Sequence, residues 1–507
     1  MNTSPGKRLQ APQPRVKFDD ERLFGNDAAD LENRELFLSY AVQRPELEGF
    51  LDADRAIQVT RAWKGEGKSG LLRLAVSKLN WIASDELVID AIGPDHSPAV
   101  DSTDSDVWTR AWKKSLLKLV ANEVGSRVNM AFTDDAISLV EEAESNGFKQ
   151  RNFVSTIVDR LKSKAVPIER TRLPTADYEQ VVKRYLSGRR LIWIVIDDVD
   201  QNFQNTERWR VKLGAFFTAC RQIVSVIPEL RIRTSVRPNV WAIIKREFEA
   251  LSHIEQYVHD LSWSKDQFRS LLAARVRSYL QRTQQWDAVK GSLPFEQSAQ
   301  ELFLIALLFD SPMPWGGGDR TSSPHLVLWT LTAHRPRWLV ELCKAAGTTA
   351  ARQQSKKINI DHIKQQLDVF GRKRIEDTEA EFKSQCPQIS EVLSAFSRQV
   401  DIYSTDELLR TINNRTMAAN PTIVGIIGKP TDLDVAHFLF QIGFIAGRRD
   451  YGENQGYDHV SYPENPTLLK SRTNRDDGLR WEINPVFRDF LNLRSISDKR
   501  HTKSGRR

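Results

Sequence analysis

The sequence predicts an α/β protein built on a parallel sheet, and three observations predict it. LIWIVIDD, Leu191 to Asp198, is a continuous apolar strand of the kind buried on both faces of such a sheet. RAWKGEGKSGLL, Arg61 to Leu72, runs from a strand through a glycine-bearing turn into a helix. Strand and helix patterns alternate between about residues 55 and 261, as right-handed crossovers require.

Taken in chain order, residues 1–22 hold three prolines and no strong apolar period, and they read as a basic flexible arm. Folded structure is expected from Leu23, where apolar residues return at helical spacing after a Gly-Asn turn. Arg55 to Trp63 alternates as a strand, Ser69 to Leu79 reads as a helix, and Glu86 to Ile92 as a second strand. Amphipathic helices are expected over roughly 105–185, as an insertion ahead of the strand at 191. The helix Glu207 to Val226 and the strands Leu230 to Val236 and Gln256 to Leu261 complete a domain spanning 23–265. Residues 266–375 read as a helical lid, interrupted by the glycine-rich loop Ser311 to Pro324.

In the last part, 376–494, YSTDELLRTINNR places Ser404 three residues before Glu407, the signature of a capping box. DVAHFLFQIGFIAGRRD reads as a second helix running into a short strand, and HVSYPENPTLL and LRWEINP are expected to pair as a wing. Residues 495–507 read as a basic flexible tail.

Composition narrows the possibilities. The 507 residues carry 73 Lys+Arg against 66 Asp+Glu, are 40% hydrophobic, and are ordinary for a globular protein. The longest wholly apolar run, Leu302 to Phe309, is far below the roughly 20 residues that cross a bilayer, so no membrane partner is expected. The amino terminus has no apolar core of a signal peptide, and cytoplasmic location is the expectation. Cys220, Cys343 and Cys386 are isolated and read as core residues; no histidine has ligand spacing with another histidine or a cysteine. The net charge of +7 is unevenly placed: residues 1–17 carry +4 and 494–507 carry +5, leaving −2 for the body. The basic character therefore belongs to the ends, which suit an acidic partner or nucleic acid.

The turn at 62–70 fits the phosphate-binding pattern G-x-x-x-x-G-K-[ST] in all but its first position, where Ala62 stands for glycine. Ala62, Lys64, Gly65, Glu66, Gly67, Lys68, Ser69 and Gly70 are the candidate nucleotide-binding residues. Backbone N–H groups at a helix start cradle phosphates, a lysine there reaches the β and γ phosphates, and a serine hydroxyl ligates Mg²⁺. The strand LIWIVIDDVD supplies the partner acids: Asp197 as a second Mg²⁺ ligand, Asp198 to polarise the attacking water, and Asp200 to support either. Arg237, ending the strand LRIRTSVRP, is a candidate γ-phosphate sensor, and Arg337, in the turn of AHRPRWLVELCKAAG, a candidate lid arginine. A purely structural role stays open for both arginines.

With these residues in place, the chain resembles bacterial P-loop ATPases close to the KAP and STAND branches of the AAA-like NTPases. The resemblance spans residues 23–494 and is carried by FGNDAADLE (24–32), KGEGKS (64–69), IDDVD (196–200), SVRP (235–238), LSWS (261–264), RPRWLVELCKAA (335–346) and INPVFRDFLNL (483–493). It implies an ATPase domain with ATP and Mg²⁺ as cofactors, a helical lid, a C-terminal winged-helix-like module, and frequent association with bacterial conflict systems including antiviral (phage) defence. Three functions follow as expectations. The first is a regulatory ATPase that switches or assembles a partner effector, or itself. The others are a DNA-binding winged-helix ATPase and a nucleotide-binding scaffold without turnover.

Overall fold

The computed structural model describes residues 14–83, 86–127, 177–187, 191–316, 319–451, 457–462, 464–473 and 475–495. Most of the expected helical insertion, residues 128–176, and most of both basic ends lie outside these. The chain divides into two compact units, one of Gln43–Ser262 and one formed by the residues up to Val42 together with those from Trp263 onward.

The first unit is the α/β domain. Its strands are β1 (Ile57–Arg61), β2 (Leu87–Ile92), β3 (Ile192–Asp197), β4 (Leu230–Val236) and β5 (Val258–Asp260). They form one parallel sheet in the order β2-β3-β4-β1-β5. The order explains the apolar run read at 191–198: β3 is an interior strand, and its five residues Ile192 to Ile196 are all buried. The helix Lys68–Ile82 follows β1, burying Leu71, Leu72, Leu74, Ala75, Val76 and Leu79. The helices Ser105–Arg127 and Glu207–Val226 meet through Trp112, whose ring stands edge-on to Phe216 at 5.0 Å while its Nε1 donates to Lys212 O at 2.9 Å. That joint satisfies the indole's one polar group as it buries the ring.

Arg233, in the middle of β4, is fully buried. It donates from Nε to Phe50 O at 2.8 Å and from Nη2 to Asp52 O at 2.6 Å, and lies over the Trp193 ring at 4.7 Å. Burial pushes its pKa down to about 9. The residue ties the chain just ahead of β1 to the centre of the sheet.

In the second unit, packing differs from the boundary expected at residue 23. Residues 14–42 pack with the helices after 263: buried Arg275 donates to Phe24 O, and to Asn26 O at 3.3 Å, with its guanidinium 4.2 Å from the Tyr40 ring centre. The flexible arm expected over 1–22 is already packed at Phe18. Within the glycine-rich loop, Met313–Pro314 (β6) pairs with Thr321–Ser322 (β7).

The last region holds β8 (Ile402–Tyr403), β9 (Ile445–Asp450), β10 (Tyr457–Val460) and β11 (Arg480–Ile483), in the order β10-β9-β11-β8. The expected capping box is present, with Ser404 N donating to Glu407 Oε2 at 2.8 Å. The expected wing pairing is not: β10 and β11 each pair with β9, antiparallel, and not with one another. Glu482, fully buried on β11, accepts from Arg448 Nη1 and His459 Nε2, each at 2.9 Å, and from Arg488. This shared carboxylate joins β9, β10 and β11 and sets the pairing. All three cysteines are buried and free. Among the described residues no helix is long and apolar enough to cross a membrane, and none of the His, Cys, Asp and Glu side chains cluster as a metal site.

Candidate nucleotide-binding site

The carboxyl ends of β1, β3 and β4 bring the sequence-selected residues of the first unit to one edge of the sheet. The chain leaves β1 at Ala62, whose N–H donates to Val236 O of β4 at 3.3 Å. It turns with Glu66 N donating to Trp63 O at 3.2 Å, and enters the helix at Lys68. Gly65 and Gly67 take left-handed backbone angles, φ 85° and 96°, where a side chain is strained. Ala62 is not in that region, so the loop needs no glycine there, and the one departure from the pattern is conformationally neutral. Lys68 is buried and donates from Nζ to Ala62 O at 3.0 Å. Ser69, Gly70 and Trp63 are half-buried and Lys64 is exposed. The start of a 15-residue helix adds partial positive charge to this turn.

On β3, Asp197 accepts from Ser235 Oγ at 2.6 Å and from Asp198 N at 2.9 Å, both through Oδ1. Asp198 itself has a left-handed backbone, φ 55°, which ends the strand and begins a turn closed by Gln201 N donating to Asp198 O at 2.9 Å. Asp200 is buried, and its Oδ2 takes both the N–H and the Nε of Arg237 at 2.8 Å. Asp200 and Arg237 are thus brought to each other, joining the turn after β3 to the helix Pro238–Glu247. Arg337 belongs to the second unit, where its Nε lies 3.2 Å from Asp27 Oδ2 and 3.7 Å from Glu341 Oε1.

Two contributors had no role assigned to them from the sequence. Ser235, the hydroxyl that holds Asp197, lies one strand over, and only the adjacency of β3 and β4 reveals it. Arg61 ends β1 in a two-pronged contact with Asp260 of β5, Nε to Oδ1 and Nη2 to Oδ2, each 2.8 Å, which fixes the strand from which the turn departs.

For Mg²⁺, the Ser69 hydroxyl and the Asp197 carboxylate are hard oxygen donors of the right chemistry, one at the helix start and one at the end of a strand on the same sheet edge. The two existing bonds to Asp197 both use Oδ1, which orients the carboxylate without consuming its other oxygen.

A parallel sheet whose first strand enters a glycine turn and a Lys-Ser helix start, with an acid-ended strand at the same edge, is the α/β fold of P-loop NTPases. No protein-family model matches the sequence, and no curated protein matches it. Among solved structures, the chain is similar to Aeropyrum pernix ORC2 in ADPNP-ADP complexes, at 10% identity and a TM-score of 0.37 over 96% of each chain. It is also similar to Drosophila ORC bound to DNA, at 10% and 0.30 over 91% of this chain and 93% of that one. A Thermotoga maritima RuvB variant matches at 11% and 0.28 over 84% of this chain and 92% of that one. The sheet and the turn themselves define the fold.

Proposed function

We propose that the chain binds ATP with Mg²⁺ and hydrolyses it slowly, as a regulatory switch or assembly platform for a partner effector in a bacterial antiviral defence system. The observation that supports this best is the pairing of the Lys68–Ser69 helix start with Asp197, held by Ser235, at one sheet edge. In this reading the N–H groups of Gly65 to Gly70 surround the phosphates, and Lys68 exchanges its bond to Ala62 O for phosphate oxygens. Ser69 and Asp197 hold the metal, which when bound neutralises charge on the phosphate oxygens. Asp198 accepts the proton of the attacking water, and its left-handed backbone turns it away from the strand direction. Asp200 and Arg237 act as one unit that fixes the turn carrying Asp198.

We read residues 266–375 as the lid, with Arg337 as its arginine, and 376–494 as a winged-helix-like module of the KAP/STAND type. A protein partner suits this module better than DNA. The first turn of the helix Asp432–Gln441 carries Asp432 and Asp434, and its His437 is already bonded to Leu468 O at 2.9 Å.

Two measurements test the proposal. Purified protein should show Mg²⁺-dependent ATPase activity that falls at least about a hundredfold in Asp198→Asn while ATP binding persists. Equal turnover in the variant removes Asp198 from the chemistry. Cells carrying the gene with its genomic neighbours should resist phage, and lose that resistance with Lys68→Ala; undiminished resistance in the variant overturns the switch role.

A further inference from the structure

The Ala62–Trp63 peptide group is gripped at both ends by side chains of opposite charge. Its carbonyl oxygen accepts from Lys68 Nζ at 3.0 Å, and its N–H donates to Glu66 Oε2 at 2.6 Å. Glu66 closes the turn a second time through its own N–H, which donates to Trp63 O at 3.2 Å. The arrangement aligns the peptide dipole, cation at the oxygen and anion at the hydrogen. It also sets a carboxylate inside a loop built to receive phosphate, an arrangement that costs electrostatic energy once an anion arrives.

We infer that Glu66 is a positioning residue for the nucleotide: it holds the Ala62–Trp63 peptide plane when Lys68 leaves Ala62 O for the phosphates. The inference rests on the nucleotide site proposed above. Without Glu66, departure of Lys68 removes both of these side-chain bonds from the peptide group, its plane is held less firmly, and the turn must be reordered each time nucleotide binds. With Glu66, the N–H end stays fixed and the loop keeps its shape through the exchange. The requirement is for an acceptor oxygen, not for charge, so glutamine serves in its place and also removes the repulsion with phosphate.

The test compares full-length wild type, Glu66→Ala and Glu66→Gln in two measurements. In nucleotide-free protein, hydrogen exchange of the Trp63 amide should accelerate about tenfold in Glu66→Ala, the scale of one hydrogen bond to a charged acceptor, and return toward wild type in Glu66→Gln. In titrations with Mg·ATP, Glu66→Ala should bind about tenfold more weakly, and Glu66→Gln at least as tightly as wild type. Unchanged Trp63 exchange in Glu66→Ala overturns the inference, as does a Glu66→Gln variant as impaired as Glu66→Ala. Wild type that fails to bind Mg·ATP would instead sink the nucleotide reading, while the exchange measurement still decides whether Glu66 holds the turn.

Discussion

Two clusters of polar side chains in this molecule use the same chemistry to opposite ends. Around Glu482 the carboxylate is fully buried, and Arg448, His459 and Arg488 converge on it from two other strands and the following turn. At the carboxyl edge of the parallel sheet, Asp197 and Asp198 are only half-buried, and Asp197 is oriented through a single oxygen. A buried network in which each partner depends on the others fixes a strand arrangement. A half-buried one, oriented through Oδ1 of Asp197, leaves that carboxylate's other oxygen for a ligand. The difference teaches where substitution should unfold the protein and where it should disable it.

The comparison can be broken at several points. Glu482→Ala removes the shared carboxylate from two half-buried guanidinium groups, of which Arg448 keeps Asp450 and Arg488 keeps Asp401, and should cost about 1–3 kcal/mol, read as a lowered melting temperature. A variant as stable as wild type would show that the network is incidental to the four-stranded sheet. Ser235→Ala should leave stability nearly unchanged and reduce ATP turnover about tenfold, since it removes one hydrogen bond to a charged group. A loss of stability without loss of turnover would place Ser235 with the structural cluster instead.

The smallest effect concerns acid. Burial holds His334 down at about 3, and His325 and His459 at about 4, with Arg448 and Arg488 adding to the effect at His459. Below about 6.5 the unfolded chain takes up protons that these folded imidazoles refuse, so their stabilising contribution is complete above that pH and is lost as the pH falls toward 4. Melting temperature should therefore decline between pH 6.5 and 4, with a shallower slope in His459→Gln. An identical slope would assign the acid sensitivity to other groups.

The parallel sheet was legible in the sequence because its signals are local. The interior strand β3 announces itself as an unbroken apolar run at 192–196, and a phosphate turn must place its glycines and lysine at fixed offsets. The antiparallel pairing near the carboxyl end was not. Its central strand, IAGRRD, is half polar because Arg448 bonds to Glu482, a residue 34 positions away. The same limit applied to the site. Lys68, Ser69 and Asp197 follow from motif spacing, whereas Ser235 depends on β4 lying beside β3. Likewise, the mutual pairing of Asp200 with Arg237 depends on two turns meeting across 37 positions. The packing of residues 14–42 with helices after 263 rests on Arg275 reaching Phe24 O, a contact that no local pattern announces.

The central claim is that the turn from Ala62 to Gly70 is a nucleotide phosphate site, and calorimetric titration of Mg·ATP into wild type and Lys68→Ala tests it most directly. Saturable binding to wild type, weakened at least about a hundredfold in the variant without loss of fold, is the predicted result. Equal binding to both proteins would contradict it.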